Sequence, residues 1–320
     1  MAGAKTIIGI GLAALGRPEY INVKQTAVSN KSEETFKKNA FKVLDDAYEQ
    51  GVRYYDTAPS YGKGEKYLHE WNDTRNHQGV FLGTKWGYTY VADWELGYDG
   101  KHEIKEHSLA KLLEQWEVSK NLLPNLKYYQ IHSATLESGV LENKEVLEKL
   151  AEIKSEYGLK IGLTSSGENQ KTIIQKGLDV VVNGEELFDS FQVTYNILEN
   201  STNAILKSAL ANGKTVIIKE ALANGRVFEN ENYPAYKSMY ALLEKLAAKY
   251  NIGTDAVALR FCMDALAPSI VLSGASSSSQ LEANLKAYNF KLTEEEITQL
   301  NELSVESDFY WKERSELNWH

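Results

Sequence analysis

Four side chains in this sequence have the types and placement to do chemistry together. Asp56 and Tyr61 fall in GVRYYDTAPSYG, residues 51–62; Lys85 closes FLGTK, residues 81–85; His132 closes YYQIH, residues 128–132. Each stands at or just past the end of a β-branched or aromatic run. Their types suit one reaction. Adding hydride to a carbonyl builds negative charge on the oxygen, which must then take a proton. A phenol, with an ordinary pKa of about 10, is a poor acid–base group near neutrality unless its anion is favoured. An ammonium at Lys85 would favour that anion, and Asp56 would keep Lys85 charged and aimed. His132 would share a hydrogen bond with the carbonyl oxygen. No nucleophile and no metal is needed, and the hydride must come from a cofactor.

Something must bring these residues to one place, and the chain supplies it by alternation. Strand-like runs are expected at 6–11, 53–57, 80–85, 127–131, 160–163, 190–195, 215–219 and 269–272. Segments of helical period lie between them, at 34–50, 65–72, 108–122, 143–157, 170–176, 203–211, 236–250 and 254–263, with two more at 279–288 and 293–303. Thr293 and Glu296 have the spacing of a capping box. Repeated strand–helix units imply a parallel sheet, and about eight of them favour closure into a (β/α)8 TIM barrel of the α/β class. Residues 1–320 read as a single domain. In a barrel the four residues would share the C-terminal rim, where such folds carry their chemistry.

Two stretches are irregular. Residues 88–101 read as a long loop over the barrel mouth. The tail, 305–320, carries Phe309, Tyr310, Trp311 and Trp319; it either packs aromatics against the wall or closes over a ligand. One motif is a decoy. Gly9, Gly11 and Ala14 match a loose dinucleotide-binding turn, but Gly16 and Pro18 follow at once and leave no helix to carry a pyrophosphate. Gly9 and Gly11 then default to a tight turn that can also let backbone approach a ligand.

Bulk properties narrow the classes. The 320 residues carry 35 Lys and Arg against 44 Asp and Glu, a net charge of −9, with no basic run, so nucleic acid is not an expected partner. No apolar run approaches a membrane span, and a single cysteine, Cys262, suits a reducing, cytoplasmic setting and reads as core packing. The histidines at 69, 77, 102, 107 and 320 show no metal spacing and read as surface residues.

Together GVRYYDTAPSYG, FLGTKWG and YYQIHSA resemble, in order, the three catalytic blocks of the aldo-keto reductases, and the likeness extends over nearly the whole chain. It implies a catalytic tetrad of Asp56, Tyr61, Lys85 and His132, with Tyr61 as general acid, acting on a small carbonyl or alcohol. It also implies a nicotinamide cofactor. Gly11 and Leu12 at the first strand, Thr164 and Ser165 where the family has Ser-Asn, and Gln192 would lie around the nicotinamide. Leu222, Asn224 and Arg226 would strap the pyrophosphate, and Gly274, Ser276, Gln280 and Asn284 would hold the adenosine end. Trp86 would wall the substrate pocket. Two departures stand out. Lys219 replaces the aromatic ring that many members stack on the nicotinamide, and would pair instead with Glu220 or a phosphate. Gln280 stands where many place an arginine on the 2′-phosphate, so NADP(H) is the implied cofactor with NAD(H) open. The alternatives are an NAD-linked sugar or alcohol dehydrogenase and a cofactor-binding regulatory subunit of a membrane channel.

Overall fold

Short β-branched runs bury both faces only when something fills one side and helices cover the other. In the computed structural model, which describes residues 5–23 and 30–319, this is met by closing the sheet on itself. His320, expected at the surface, lies outside the described residues.

The chain runs β1 (Ile7–Gly11), α1 (Glu33–Glu49), β2 (Tyr54–Asp56), α2 (Gly64–Arg75) and β3 (Phe81–Trp86). A two-stranded hairpin follows, β4 (Tyr88–Tyr90) and β5 (Glu103–Lys105), then α3 (Leu109–Ser119), β6 (Leu126–Ala134), α4 (Lys144–Tyr157), β7 (Lys160–Ser165) and α5 (Gln170–Asp179). A second small hairpin, β8 (Val181–Val182) and β9 (Glu185–Glu186), leads to β10 (Ser190–Thr194), α6 (Asn203–Ala211) and β11 (Thr215–Lys219). Last come α7 (Lys237–Tyr250), α8 (Thr254–Ala265), β12 (Ile270–Ser273), α9 (Ser278–Leu285), α10 (Glu294–Asn301) and α11 (Ser307–Ser315). Eight strands form a closed parallel barrel in the order β1-β12-β11-β10-β7-β6-β3-β2. None of the helices among the described residues is long and apolar enough to cross a membrane.

Side chains from Tyr54, Tyr128, Ile217, Ile270 and Leu272 fill the barrel, while a larger apolar layer seals strands to helices. Two glycines shape the interior. A Cβ on Gly9 would sit 2.7 Å from the Tyr54 ring and one on Gly83 2.2 Å from its hydroxyl. Gly9, half of the decoy motif, therefore makes room for a tyrosine inside the barrel rather than for a turn. Local capping supports the outer helices: Ser32, Ser108, Asn143, Ser277 and Thr293 each accept a first-turn N–H, and Thr293 with Glu296 closes the expected capping box.

Three expectations change. The long loop at 88–101 is instead the connection of the β4–β5 hairpin, which pairs Tyr88 with Lys105. The tail is helical at 307–315. His102 and His107, taken as surface residues, are buried; Cys262 is buried as expected, its thiol donating to the Tyr195 carbonyl at 3.3 Å.

Candidate active site

Parallel register brings the C-terminal parts of three strands together. Asp56 ends β2, opposite Gly83 of β3; Lys85 of β3 is opposite Gln130 of β6; His132 lies two residues further along β6. Lys85 is fully buried and donates to the Asp56 carboxylate through Oδ1 and to the Thr57 carbonyl at 2.9 Å. Asp56 Oδ2 accepts from Tyr54 at 3.0 Å and from Gln192 of β10 at 2.9 Å. Tyr61 sits on the tight loop after β2, where Gly16 packs so closely that a Cβ there would lie 2.2 Å from the Tyr61 carbonyl. The Tyr61 ring centre is 4.7 Å from the Lys85 ammonium and 5.6 Å, edge-on, from the His132 ring. Ser60 Oγ is 3.3 Å from His132 Nδ1, and His107 Nε2 is 2.9 Å from the His132 carbonyl.

The electrostatics differ from the expectation in one respect. Burial is the largest influence on the Tyr61 phenol and raises its pKa; the Asp56 charge raises it further, and Arg17 is the cation working against them. Lys85 contacts Asp56 directly, so in the resting site burial and Asp56 outweigh it and the phenol stays raised. The phenol thus holds its proton near neutrality. Burial holds the Lys85 ammonium below its usual range against the opposing pull of Asp56. Burial, then Lys85 and Lys219, hold His132 well below the ordinary histidine value, so its ring is neutral.

These groups open into a cavity of about 420 Å³. Asp56, Tyr61 and His132 line it, as do Gly11, Gln192, Lys219, Leu222, Asn224, Gly274, Ser276, Gln280 and Asn284. Other expected residues are elsewhere. Leu12 is buried behind the wall, its N–H on the Asp56 carbonyl. Thr164 is buried and accepts from the Ser133 N–H at 2.7 Å; Ser165 is buried, its hydroxyl without a partner among the described residues. Ser133 and Ser166 reach the cavity in their place. Arg226 turns away, to the Ala223 and Tyr310 carbonyls and to Glu313 at 3.2 Å. Trp86 is fully buried, edge-on to His107, and is not part of the lining. Lys219 does not pair with Glu220 at contact distance: it donates to Ser166 and Thr194, each at 2.9 Å, while Glu220 takes Arg314 at 2.8 Å. Burial pushes the Glu220 carboxyl up, yet Arg314 and then Lys219 outweigh it and hold it at about 2.

Several lining residues carry no sequence signal. Arg17 is buried, bridges Glu103 of the hairpin at 2.5 Å and faces Tyr20, Tyr61 and Trp319 at 4.8–5.3 Å. Trp319 lines the cavity and stacks on His102 at 4.1 Å. The contacts of Trp319 with Arg17 and His102 span 302 and 217 positions, beyond any local pattern; the cluster of tail aromatics was the one available hint.

Comparison with known proteins adds the following. The family model described as the aldo/keto reductase family matches residues 8–305. An uncharacterized oxidoreductase, YqkF, of Bacillus subtilis is 25% identical over 307 residues, spanning 92% of this chain and 97% of its own. Aldo-keto reductase str7 of Strobilurus tenacellus is 25% identical over 84% and 82%. Among solved structures, the holo form of aldo-keto reductase AKR11C1 from Bacillus halodurans superposes with a TM-score of 0.68 at 22% identity, covering 93% and 92%. Glycerol dehydrogenase AKR11B4 from Gluconobacter oxydans gives 0.68 at 21% identity, covering 92% and 90%. At such identity these structures speak for the fold.

Proposed function

The chain belongs to the aldo/keto reductase family, and on that premise we propose that it moves hydride between a nicotinamide cofactor and a small carbonyl or alcohol, Tyr61 handling the proton. The observation that carries this reading is the meeting of Asp56, Tyr61 and His132 in the lining of one cavity, with Lys85 buried against Asp56 and 4.7 Å from the Tyr61 ring centre. The cofactor, when bound, supplies the hydride. The cavity suits it: Gln192 spends its amide N–H on Asp56 and keeps its oxygen for a ligand, Ser133 and Ser166 stand in the same lining, and the buried Asn224 Oδ1 has no partner among the described residues.

Each residue then has a task. The neutral His132 ring has Ser60 at Nδ1; with Ser60 donating there, the ring proton sits on Nε2, the nitrogen left to hold a carbonyl oxygen. Tyr61 keeps its proton until charge builds on that oxygen, then gives it up. The ammonium of Lys85 steadies the phenolate left behind, and Asp56 keeps Lys85 aimed.

Of NADP(H) and NAD(H), the lining supports NAD(H) better. The lining cations Arg17, Lys219 and Arg314 cluster with Tyr61, Glu103 and Glu220. The rest of the lining offers the hydroxyls and amides of Ser276, Gln280 and Asn284 and the Asp255 carboxylate. A carboxylate suits a ribose hydroxyl and repels a 2′-phosphate. Lys42 reaches Ser278 but is held by Asp46 and is not in the lining.

The sugar or alcohol dehydrogenase reading draws support from the polar mouth, where Arg17, Glu103, Glu220 and Arg314 surround Trp319 and Tyr20. The deciding experiment follows NADH and NADPH oxidation against a panel of aldehydes, ketones and sugars, with the reverse reaction on polyols. Turnover with NADH preferred supports the proposal. Tight nucleotide binding without turnover of any substrate would leave a regulatory, cofactor-sensing role.

A further inference from the structure

Three of the four cations around the catalytic end are spent. Arg17 faces Glu103 at 2.5 Å, Lys85 contacts Asp56, and Arg314 faces Glu220 at 2.8 Å. Lys219 is the exception: among the described residues no carboxylate stands within salt-bridge reach of it, and its two partners, the hydroxyls of Ser166 and Thr194, are neutral. They hold the ammonium in place, and Thr194 in turn donates to Glu220 at 3.1 Å, so the nearest carboxylate acts on Lys219 from one hydroxyl away and not by contact.

Its location gives that charge a target. Lys219 ends β11, in register with Thr194 of β10, two residues past Gln192. It lines the cavity together with Gln192, Ser166, Tyr61 and His132, and its charge is among those that depress His132. Burial draws the Lys219 amine down to about 8, so at pH 7 the site carries the cation.

We infer that Lys219 makes this chain distinguish the redox forms of its nicotinamide cofactor, admitting the neutral reduced ring and disfavouring the cationic oxidised one. The inference rests on the function proposed above. Its physical basis is that a held positive charge with no carboxylate in direct contact interacts with a ring whose own charge changes by one unit on hydride transfer. A nucleotide seated in this lining would exclude water from around Lys219, and screening would weaken as it did so. Fixed charge here therefore raises the free energy of the oxidised complex relative to the reduced one, so oxidised nucleotide leaves more readily while hydride transfer to a carbonyl on the protein becomes less favourable by the same amount.

The experiment measures dissociation constants of NADH and NAD⁺ by quenching of tryptophan fluorescence, at pH 7, for the wild type, Lys219→Met and Lys219→Arg. The wild type is expected to bind NADH more tightly. In Lys219→Met the ratio of the NAD⁺ constant to the NADH constant should fall on the order of tenfold, chiefly by tighter NAD⁺ binding, and Lys219→Arg should keep the wild-type ratio. Thermal melts establish that each variant is folded, and Lys219→Gln replaces Met if that one is not. An unchanged ratio in a folded, uncharged variant overturns the inference while leaving the proposed function standing. Failure of the wild type to bind either nucleotide, NADP(H) included, overturns both.

Discussion

Gln192 and Asp56 lie 136 residues apart and meet inside the barrel, where Gln192 Nε2 donates to Asp56 Oδ2 at 2.9 Å. The bond ties a cavity-lining residue of β10 to the carboxylate that neutralises Lys85. With Tyr54 on the same oxygen and Lys85 on the other, Asp56 is held by three strands at once.

That arrangement predicts the cost of removing the charge. Asp56→Asn leaves a fully buried ammonium at Lys85 without its counter-ion. Breaking a buried pair from one side costs roughly 3–5 kcal/mol. Urea unfolding should show that loss, and the double variant Asp56→Asn with Lys85→Met should recover most of it. A single variant as stable as the wild type would show that the pair contributes nothing.

Tyr61→Phe removes one hydroxyl and leaves the ring between Lys85, Arg17 and His132. Carbonyl reduction should fall by about 10²–10⁴-fold, the usual worth of a positioned proton donor. The NADH dissociation constant should barely move, since the phenol acts on the transition state. Equal losses in rate and nucleotide affinity would mean that the residue shapes the site instead.

Trp319 reaches the cavity from the far end of the chain, fixed by stacking on His102 and by a bridge to Ile21. Trp319→Ala should raise KM for the better carbonyl substrates about tenfold, as expected for an aromatic contact worth roughly 1.4 kcal/mol, with NADH affinity unchanged. An unchanged KM across the panel would relegate the tail to packing.

His107 is buried against the His132 carbonyl, and burial lowers it from the ordinary 6.5 to about 4. A depressed histidine favours the folded state while it is neutral. Its contribution is complete above pH 6.5 and is lost as pH falls toward 4, roughly 3 kcal/mol in all. Unfolding free energies of His107→Asn and the wild type, measured between pH 4 and 7, should differ by an amount that changes over that window. A pH-independent difference would mean that the imidazole does not titrate there.

Glu65 has the opposite slope. It is buried, accepts from Thr84 at 2.6 Å and Ser119 at 2.8 Å, and burial raises its carboxyl from 4.5 to about 7. A raised carboxyl stabilises the fold while protonated, so its contribution is present below pH 4.5 and is lost as pH rises through 7, again roughly 3 kcal/mol. Glu65→Gln should therefore be the more stable protein at pH 8 and close to the wild type at pH 4.5. In the wild type this slope offsets that of His107, and the two variants separate them. A wild type more stable than Glu65→Gln at pH 8 would rule out a burial cost.

The sequence alone determined the barrel and pointed to the four residues proposed to react. Periodicity carries that much: strand runs such as 215–219 and helical stretches such as 143–157 coincide with the observed β11 and α4, since local burial patterns are written in neighbouring residues. The placement of Asp56, Lys85 and His132 at strand ends is equally local, and in a parallel barrel all strand ends of one kind share a rim. Tertiary structure alone decided which side chains turn into the cavity. Ser166 and not Ser165, Trp319 and not Trp86, and Lys219 kept from direct contact with a Glu220 that takes Arg314 are outcomes of register, of a tail folding back over 300 residues, and of competition for one carboxylate. No spacing along the chain encodes these, because each depends on what stands opposite once the barrel has closed.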